Sequence, residues 1–215
     1  MCGITGIFHL NNKKIDKNLL EKFTLSLEHR GPDGKGYYYN HDQDLGLGHT
    51  RLKILDISDM SSQPFSDLSK RYLITYNGEV YNYLELKSEL EEIGYKFKTT
   101  GDTEVVLNSF IEWGEKCNLK FNGMWAYTIW DNKLKKLYMS RDRFGVKPVY
   151  YMLSNDTFYF ASELKSFKHL EKESPKIDYG KFSPMHKDFN REENKTESNA
   201  NIKDIKINKQ KIKKP

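Results

Sequence analysis

The sequence has few cysteines and no long apolar stretch, and each shortage excludes a class of protein. Only two cysteines, Cys2 and Cys117, occur among 215 residues, so a secreted domain stapled by disulfides is not expected. No apolar run approaches the roughly 20 residues that span a bilayer, which argues against a membrane protein. The N-terminus also lacks the pattern of a signal peptide, because charged residues interrupt it early. A cytoplasmic location is the simplest expectation.

The positive charge is concentrated near the C-terminus. The net charge is +5, and residues 168–215 alone hold 13 basic and 8 acidic residues, a surplus of +5. The remaining 22 basic and 22 acidic residues cancel, so residues 1–167 are neutral. Large apolar residues become rare after residue 167. We therefore predict one domain at residues 1–167 and a lysine-rich, disordered tail at residues 168–215.

Hydrophobic periodicity predicts helices alternating with strands that are apolar on both faces. Asp16 should cap a first helix, Gly94 should end a second, and a third should begin near Asp102. Strands are expected at residues 2–9, 45–49, 52–57, 72–76, 124–130, 136–140, 149–153 and 157–161. Helices surrounding such strands indicate an α+β layered sandwich.

Cys2 is the first candidate for catalysis. A cysteine near a terminus is usually an inert small hydrophobe. Removal of Met1, however, would give Cys2 a free α-amine, whose unperturbed pKa of roughly 7.7–8.0 suits a base for the adjacent thiol. Nucleophile and base could then share one residue.

A series of motifs follows Cys2 in a fixed order. They are Cys2-Gly3-Ile4-Thr5-Gly6, Arg30-Gly31-Pro32-Asp33-Gly34, Gly48-His49-Thr50-Arg51-Leu52, Tyr76-Asn77-Gly78-Glu79-Val80-Tyr81-Asn82-Tyr83, Gly101-Asp102-Thr103-Glu104, Phe121-Asn122-Gly123-Met124-Trp125-Ala126, Arg141-Asp142-Arg143-Phe144-Gly145-Val146-Lys147-Pro148 and Phe160-Ala161-Ser162-Glu163-Leu164-Lys165. In this order and spacing they resemble the glutaminase domain of glutamine-hydrolysing asparagine synthetases, a class II glutamine amidotransferase. The resemblance implies a four-layer αββα sandwich of the N-terminal-nucleophile hydrolase type, with mostly antiparallel sheets.

The resemblance also implies roles for individual residues. Cys2 would be the nucleophile that forms a glutamyl thioester, and Asn77 and Gly78 would form the oxyanion hole. Arg51 would hold the α-carboxylate of L-glutamine, with Glu79 and Asp102 around its α-ammonium. The rest of the implied substrate pocket is Leu52, Lys53, Ile54 and Leu55. No metal ligand is implied.

Each of these residues also has an ordinary structural interpretation. Alone, Arg51 could be a surface cation, Asn77-Gly78 a hairpin turn and Asp102 a helix cap. Together they supply a cation, carboxylates and an oxyanion donor for one amino acid, which favours the functional interpretation. We interpret His49 as a structural hydrogen-bonding residue and Cys117 as a thiol without a role. We interpret residues 141–148 as a structural loop or as facing a second domain.

The sequence departs from the family after the glutaminase region. Asparagine synthetases continue into a domain with a Ser-Gly-Gly-x-Asp-Ser pyrophosphate loop, and this sequence contains no such loop. The ATP-binding synthetase domain is therefore expected to be absent from this chain. No cofactor is expected for the glutaminase step, and ATP and Mg only in a paired synthetase. The chain could be a fragment, a truncated product or a free-standing glutaminase that supplies a separate synthetase subunit.

Two other classes of function compete with a glutaminase. One is a non-catalytic truncated domain that binds glutamine or a synthetase partner; retention of Cys2 beside the other motif residues argues against it. The other is nucleic-acid binding by the lysine-rich tail, whose last lysines are interleaved with Ile and Asn and not with aromatic residues for stacking, and which contains eight acids. We therefore do not expect a nucleic-acid partner. The final ammonia acceptor stays open, because the same branch includes enzymes acting on other carboxylates.

Overall fold

The computed structural model describes residues 1–170, together with two short strands further on, Ser183–Pro184 and Ile205–Asn208. The strands are β1 Gly3–His9, β2 Gly34–Tyr39, β3 Leu45–Arg51, β4 Phe65–Ser66, β5 Tyr72–Val80, β6 Gly123–Asp131, β7 Lys136–Arg141, β8 Tyr150–Ser154, β9 Thr157–Ala161, β10 Ser183–Pro184 and β11 Ile205–Asn208. The α-helices are α1 Lys17–Leu25, α2 Tyr83–Glu92, α3 Asp102–Trp113 and α4 Cys117–Lys120. Short 3₁₀ segments lie at Glu28–Arg30, Asp59–Ser61, Gly114–Lys116 and Leu164–Leu170.

These strands form two sheets. The first has the order β10-β8-β9-β1-β3-β2, and all of its strand pairs are antiparallel. The second has the order β11-β7-β6-β5-β4 and is antiparallel except for the parallel pair of β11 with β7. Mostly antiparallel sheets were expected, and the structure contains them.

The two sheets face each other and each is covered by helices on its outer side. Side chains of both sheets meet in one apolar core, with Phe8 of β1 packed edge-on against Trp130 of β6. On the outside of the first sheet, Phe23 of α1 packs against Phe167. On the outside of the second sheet, α2 and α3 enclose a third core. Because the central strands β1, β3 and β6 are covered on both faces, nearly all of their residues are buried. The α+β, four-layer αββα prediction is confirmed.

The predicted helix ends agree with the local chemistry. Asp16 caps α1, with its Oδ1 accepting hydrogen bonds from the backbone N–H groups of Asn18 at 2.9 Å and Leu19 at 3.3 Å. Gly94 follows α2 with a φ of +100°, a left-handed conformation that favours glycine. Helix α3 begins at Asp102, as predicted.

Residues 52–57 are a loop, so the strand predicted there is wrong. The apolar residues Leu52, Ile54 and Ile57 suggested a strand, but the side chain of Arg51 donates to the backbone carbonyls of residues 56 and 58 and bends the segment. Strand β2, Gly34–Tyr39, was not predicted; its Gly-Lys-Gly start is a weak β signal, and pairing with β3 supplies its backbone hydrogen bonds.

The disordered tail at residues 168–215 stays a prediction, although three parts of it have described structure: residues 168–170, β10 and β11. Leu170, three residues beyond the predicted boundary at residue 167, is fully buried in the core that contains α1. Beyond it, β10 pairs with β8, and β11 pairs in parallel with β7. Amino-acid composition predicts disorder from the small apolar area that the side chains can bury. It does not consider that a strand can also pair with the unpaired backbone N–H and C=O groups of a sheet edge. The rest of the predicted tail lies outside the described residues.

Within the described part of the chain, no helix is long and apolar enough to cross a bilayer.

Candidate active site

Cys2 lies just before β1, beside the segment that follows β3. The Leu52 N–H points at Cys2 Sγ from 3.4 Å, and Sγ is 3.7 Å from the Leu52 carbonyl oxygen. Gly3 permits this approach, because a Cβ there would lie 2.6 Å from Thr50 Oγ1. Burial raises the pKa of the Cys2 thiol, while the Leu52 hydrogen bond, the N-terminal charge and Arg51 lower it in part. A base close to Sγ is therefore needed to form the thiolate near neutral pH.

Arg30 fixes the backbone of Cys2. Its Nε donates to the Cys2 carbonyl at 3.0 Å, and its Nη1 donates to Glu163 Oε1 at 2.8 Å. Burial would raise the pKa of Glu163, but hydrogen bonds from Arg30, His29 and Lys165 hold it at about 2. Arg30 and Glu163 both belong to motifs recognised in the sequence, yet no role was assigned to them, because residues 133 positions apart in sequence cannot be paired without the fold.

Cys2 opens onto a pocket of about 90 Å³. Nine of the ten residues proposed from the sequence line this pocket, and these are Cys2, Arg51, Leu52, Ile54, Leu55, Asn77, Gly78, Glu79 and Asp102. The other lining residues are Met1, Asp56, Ser61, Gln63, Tyr76, Gly101, Thr103 and Lys147. The fold thus brings together segments that begin near residues 2, 51, 77 and 102.

Lys53 is the one proposed residue that does not line the pocket. Its backbone N–H donates to Asp33 Oδ2 at 2.9 Å, and its ammonium lies 3.1 Å from Asp59 Oδ1. These contacts direct Lys53 away from the neighbours it was grouped with. The motif alone could not show that Lys53 lies apart from the pocket, because the side chains of consecutive loop residues point in different directions.

Arg51 ends β3 and is 7% exposed. Its Nη1 donates to the Ser58 carbonyl at 2.7 Å and lies 3.5 Å from Ser62 Oγ, and its Nη2 donates to the Asp56 carbonyl. Among the described residues, these bonds leave two of the five guanidinium N–H donors without a partner. Arg51 can therefore shape the loop and still donate to an anion in the pocket.

Asn77 and Gly78 lie side by side on β5. Asn77 is 1% exposed, and its Nδ2 has no hydrogen-bond acceptor within the described part of the chain. A buried amide N–H without a partner is costly, so such groups are rare and call for an explanation. At Gly78 a Cβ would lie 2.5 Å from the Tyr76 ring and 2.7 Å from the Met124 carbonyl, so only glycine fits. An acceptor in the pocket would satisfy the Asn77 donor.

Negative charge is provided by Asp102 and Glu79. Asp102 Oδ2 accepts from the Tyr76 hydroxyl at 2.6 Å and from the Val80 N–H at 3.0 Å, so one oxygen is held firmly. Burial raises the pKa of Asp102, and these two hydrogen bonds oppose that effect. Glu79, on β5 beside Gly78, is half-buried and lines the same pocket.

His49 and Cys117 occupy structural positions. His49 is fully buried, with Nε2 3.1 Å from the Tyr76 carbonyl, and burial lowers its pKa to about 4. A neutral imidazole in this place holds β3 to β5, as the interpretation from the sequence expected. Cys117 lies in the core beneath α3, 3.8 Å from the Tyr127 hydroxyl, and burial raises its pKa to about 12. Such a thiol is unreactive.

Lys147 is a pocket residue that was missed. It lies in the loop between β7 and β8, is 6% exposed and lines the pocket with Cys2. Burial lowers the pKa of Lys147, while the negative charge of Glu79 raises it. The carboxylate of Asp142 shapes the loop by accepting from three backbone N–H groups, those of Phe144, Val146 and Lys147. The motif of this lysine, residues 141–148, was recognised in the sequence but interpreted as a structural loop or as facing a second domain, and only the fold shows that Lys147 lines the pocket.

The described residues contain no group of three or more His, Cys, Asp or Glu side chains arranged to hold a metal ion.

Several known proteins resemble this chain in sequence. The model of the glutamine amidotransferase domain family matches residues 1–211. Asparagine synthetase [glutamine-hydrolyzing] 1 of Bacillus subtilis is 43% identical over 169 residues, covering 77% of this chain and 26% of the relative. A putative asparagine synthetase [glutamine-hydrolyzing] 2 of Methanocaldococcus jannaschii is 42% identical over 181 residues, covering 77% of this chain and 34% of the relative. The chain thus spans about a quarter to a third of the length of these relatives.

The fold also resembles a solved structure. The glutamine phosphoribosylpyrophosphate amidotransferase from B. subtilis, complexed with ADP and GMP, superimposes with a TM-score of 0.66 at 20% identity. The match covers 79% of this chain and 43% of that chain, and at this identity it supports the fold alone. The sequence relatives and the family match carry the assignment: this chain belongs to the glutamine amidotransferase domain family.

Proposed function

We propose that this chain hydrolyses L-glutamine to glutamate and ammonia through a thioester on Cys2. The observation that carries the proposal is the buried Asn77 Nδ2, which has no acceptor among the described residues and belongs to the same pocket as the Cys2 thiol. A thiol supplies the nucleophile, and an amide N–H without an acceptor is ready for the oxyanion that forms when a carbonyl is attacked.

The proposed reaction proceeds in two steps that balance. With Met1 removed, the α-amine of Cys2 takes the Sγ proton, and sulfur attacks the side-chain amide carbon of glutamine. Asn77 Nδ2 and the N–H of Gly78 stabilise the oxyanion; the C–N bond then breaks, and the leaving nitrogen takes the proton from the ammonium as NH₃ departs. Water then attacks the thioester, which releases glutamate and restores the thiol. Neither step requires a metal or a cofactor.

The charges of the pocket suit an amino acid in its zwitterionic form. Two N–H donors of Arg51 are available for the α-carboxylate, and the carboxylates of Glu79 and Asp102 can accept from the α-ammonium. Leu52, Ile54 and Leu55 line the same pocket and can contact the aliphatic part of the substrate.

We propose that the ammonia serves a synthetase on another domain or subunit, with aspartate as acceptor. The named relatives are glutamine-hydrolysing asparagine synthetases, and the chain spans only a part of their length. ATP and Mg would act in that synthetase part. Another relative, amidase chry2 of Gibberella zeae, is 33% identical over 177 residues, covering 78% of this chain and 26% of the relative. The relatives of this chain therefore include a protein that is not named an asparagine synthetase. Cytoplasmic location stays a prediction.

Ammonia release from glutamine by the purified chain tests the activity. Mass spectrometry first establishes that Met1 has been removed. The wild type should release ammonia, Cys2→Ala should release none, and Cys117→Ala is the matched thiol control, which should retain the rate if it remains folded. Folded, processed protein that binds glutamine without turnover would favour the competing function, a non-catalytic binding domain.

A further inference from the structure

The pocket is bordered by two separate chain segments. One is the loop of residues 52–62, which follows Arg51 and is called the pocket loop below. The other is the turn of residues 99–101, which leads into Asp102 at the start of α3. The two segments are about 45 residues apart in sequence, yet both contribute to the lining of the pocket.

Asp56 connects these two segments through its side chain. Its Oδ2 accepts from the Thr100 backbone N–H at 2.9 Å and from Thr100 Oγ1 at 3.1 Å. Its Oδ1 accepts from the Ser58 N–H at 2.8 Å, within the pocket loop. Gly101 allows the close approach, because a Cβ at that position would lie 3.2 Å from Asp56 Cβ.

Asp56 is also connected to Arg51 through its backbone. The Asp56 carbonyl accepts from Arg51 Nη2, and the neighbouring Ser58 carbonyl accepts from Nη1 at 2.7 Å. Asp56 therefore contacts the Arg51 guanidinium through its carbonyl oxygen, and it contacts the turn that leads into Asp102 through its carboxylate. Burial would raise the pKa of Asp56, but hydrogen bonds from Ser58 and Thr100 outweigh it and hold that pKa well below its ordinary value. The connecting carboxylate is thus charged throughout the physiological pH range.

We propose that Asp56 is a positioning residue that sets the separation between Arg51 and Asp102, and so selects ligands with both an α-carboxylate and an α-ammonium group. The inference rests on the proposed function, because it takes these two side chains as the ends of the glutamine site. Asp56 itself does not touch the reacting atoms in this scheme. It acts on binding, whereas Asn77 and Gly78 lie on β5, outside the pocket loop, and Cys2 contacts that loop at Leu52, its first residue.

The first test compares Asp56→Ala and Asp56→Asn with the wild type in ammonia release. Loss of charge-assisted hydrogen bonds should raise the KM for glutamine about tenfold in Asp56→Ala and leave kcat within about threefold. Asp56→Asn should lie between, because its amide oxygen can still accept. Asp67→Ala is the matched control: Asp67 also accepts from two backbone N–H groups, at 3.1 Å and 2.8 Å, but lies outside the pocket. It should alter stability without altering KM.

A second test distinguishes positioning from general damage. Calorimetric binding is measured in the Cys2→Ala background with L-glutamine and with glutaramate, which has the carboxylate and amide but no α-amine. Asp56→Ala should weaken glutamine binding about tenfold and glutaramate binding much less, because a ligand held at one end does not sense the separation of two ends. Equal losses for the two ligands, or an unchanged KM, would overturn the proposal.

These binding measurements also separate the inference from the proposed function. If the wild type binds glutamine but releases no ammonia, the proposed activity fails while the loss pattern of Asp56→Ala still decides the inference. If glutamine does not bind at all to folded protein, both are wrong. A melting temperature for each variant identifies any that fails to fold, and Asp56→Asn then provides the comparison.

Discussion

Replacing Asn77 by alanine should destroy activity while sparing the fold. Asn77 Nδ2 is buried and has no acceptor among the described residues, so in the free protein the amide contributes a penalty of about 1–3 kcal/mol rather than a bond. In the proposed reaction it becomes an oxyanion donor, and loss of one such donor lowers kcat by about 100- to 1000-fold, or about 3–4 kcal/mol. Asn77→Ala should therefore remove a penalty on stability and at the same time lower kcat. Few substitutions of a buried polar residue would combine these two effects.

Asn118 provides the matched control for this substitution. It is also 1% exposed, but its Nδ2 donates to the Glu115 carbonyl at 3.0 Å, and its Oδ1 accepts from Tyr127 at 2.8 Å and Ser140 at 3.0 Å. Alanine at position 118 should leave these two hydroxyls without that acceptor and cost about 3 kcal/mol or more. For a domain of this size that is a fall of roughly 6–12 °C in melting temperature.

The assay pairs ammonia release with thermal unfolding for both variants. Asn77→Ala should lose at least about 100-fold in kcat with a melting temperature within roughly 3 °C of wild type, because relief of the penalty offsets the lost packing. Asn118→Ala should show the reverse pattern. If Asn77→Ala retains more than about a tenth of the kcat, the assignment of its amide to the oxyanion site is wrong.

Two further predictions concern stability and sterics. The pKa of His49 is about 4, below its unfolded value of 6.5, so the folded state binds fewer protons between these values and stability should fall by up to about 3 kcal/mol as pH drops from 6.5 to 4. Urea unfolding of wild type and His49→Gln over this range measures the effect, and an equally steep loss in the variant would contradict it. Gly78→Ala should cost about 1–3 kcal/mol and lower kcat, because the added Cβ meets the Tyr76 ring and the Met124 carbonyl. Thermal unfolding and ammonia release check this, and a variant with wild-type values would refute the steric argument.

Local chemistry explains why much of the fold could be predicted. The Asp16 cap, the glycine after α2 and the strands that became β1, β5 and β6 depend on short-range preferences and on apolar periodicity. The prediction failed at residues 52–57, where Arg51 overrides a strand-like pattern, and it did not include the pairing of β11 with the edge of β7. Neither feature follows from the sequence pattern. The loop depends on the direction of the Arg51 side chain, and β11 depends on a strand partner that is distant in sequence.

The sequence by itself determined the family and the chemical types at the site. A cysteine at position 2, an Asn-Gly pair, an arginine and an aspartate at recognisable motif positions are properties of the chain alone, because they depend on residue identity and order. Only the tertiary structure decided which of them share a pocket: it left Lys53 out and brought Lys147 and Asp56 in. It also decided that the amide of Asn77 has no acceptor among the described residues and that the imidazole of His49 is neutral. These properties depend on burial and on distances between segments far apart in sequence, and those quantities exist only after the sheets have packed.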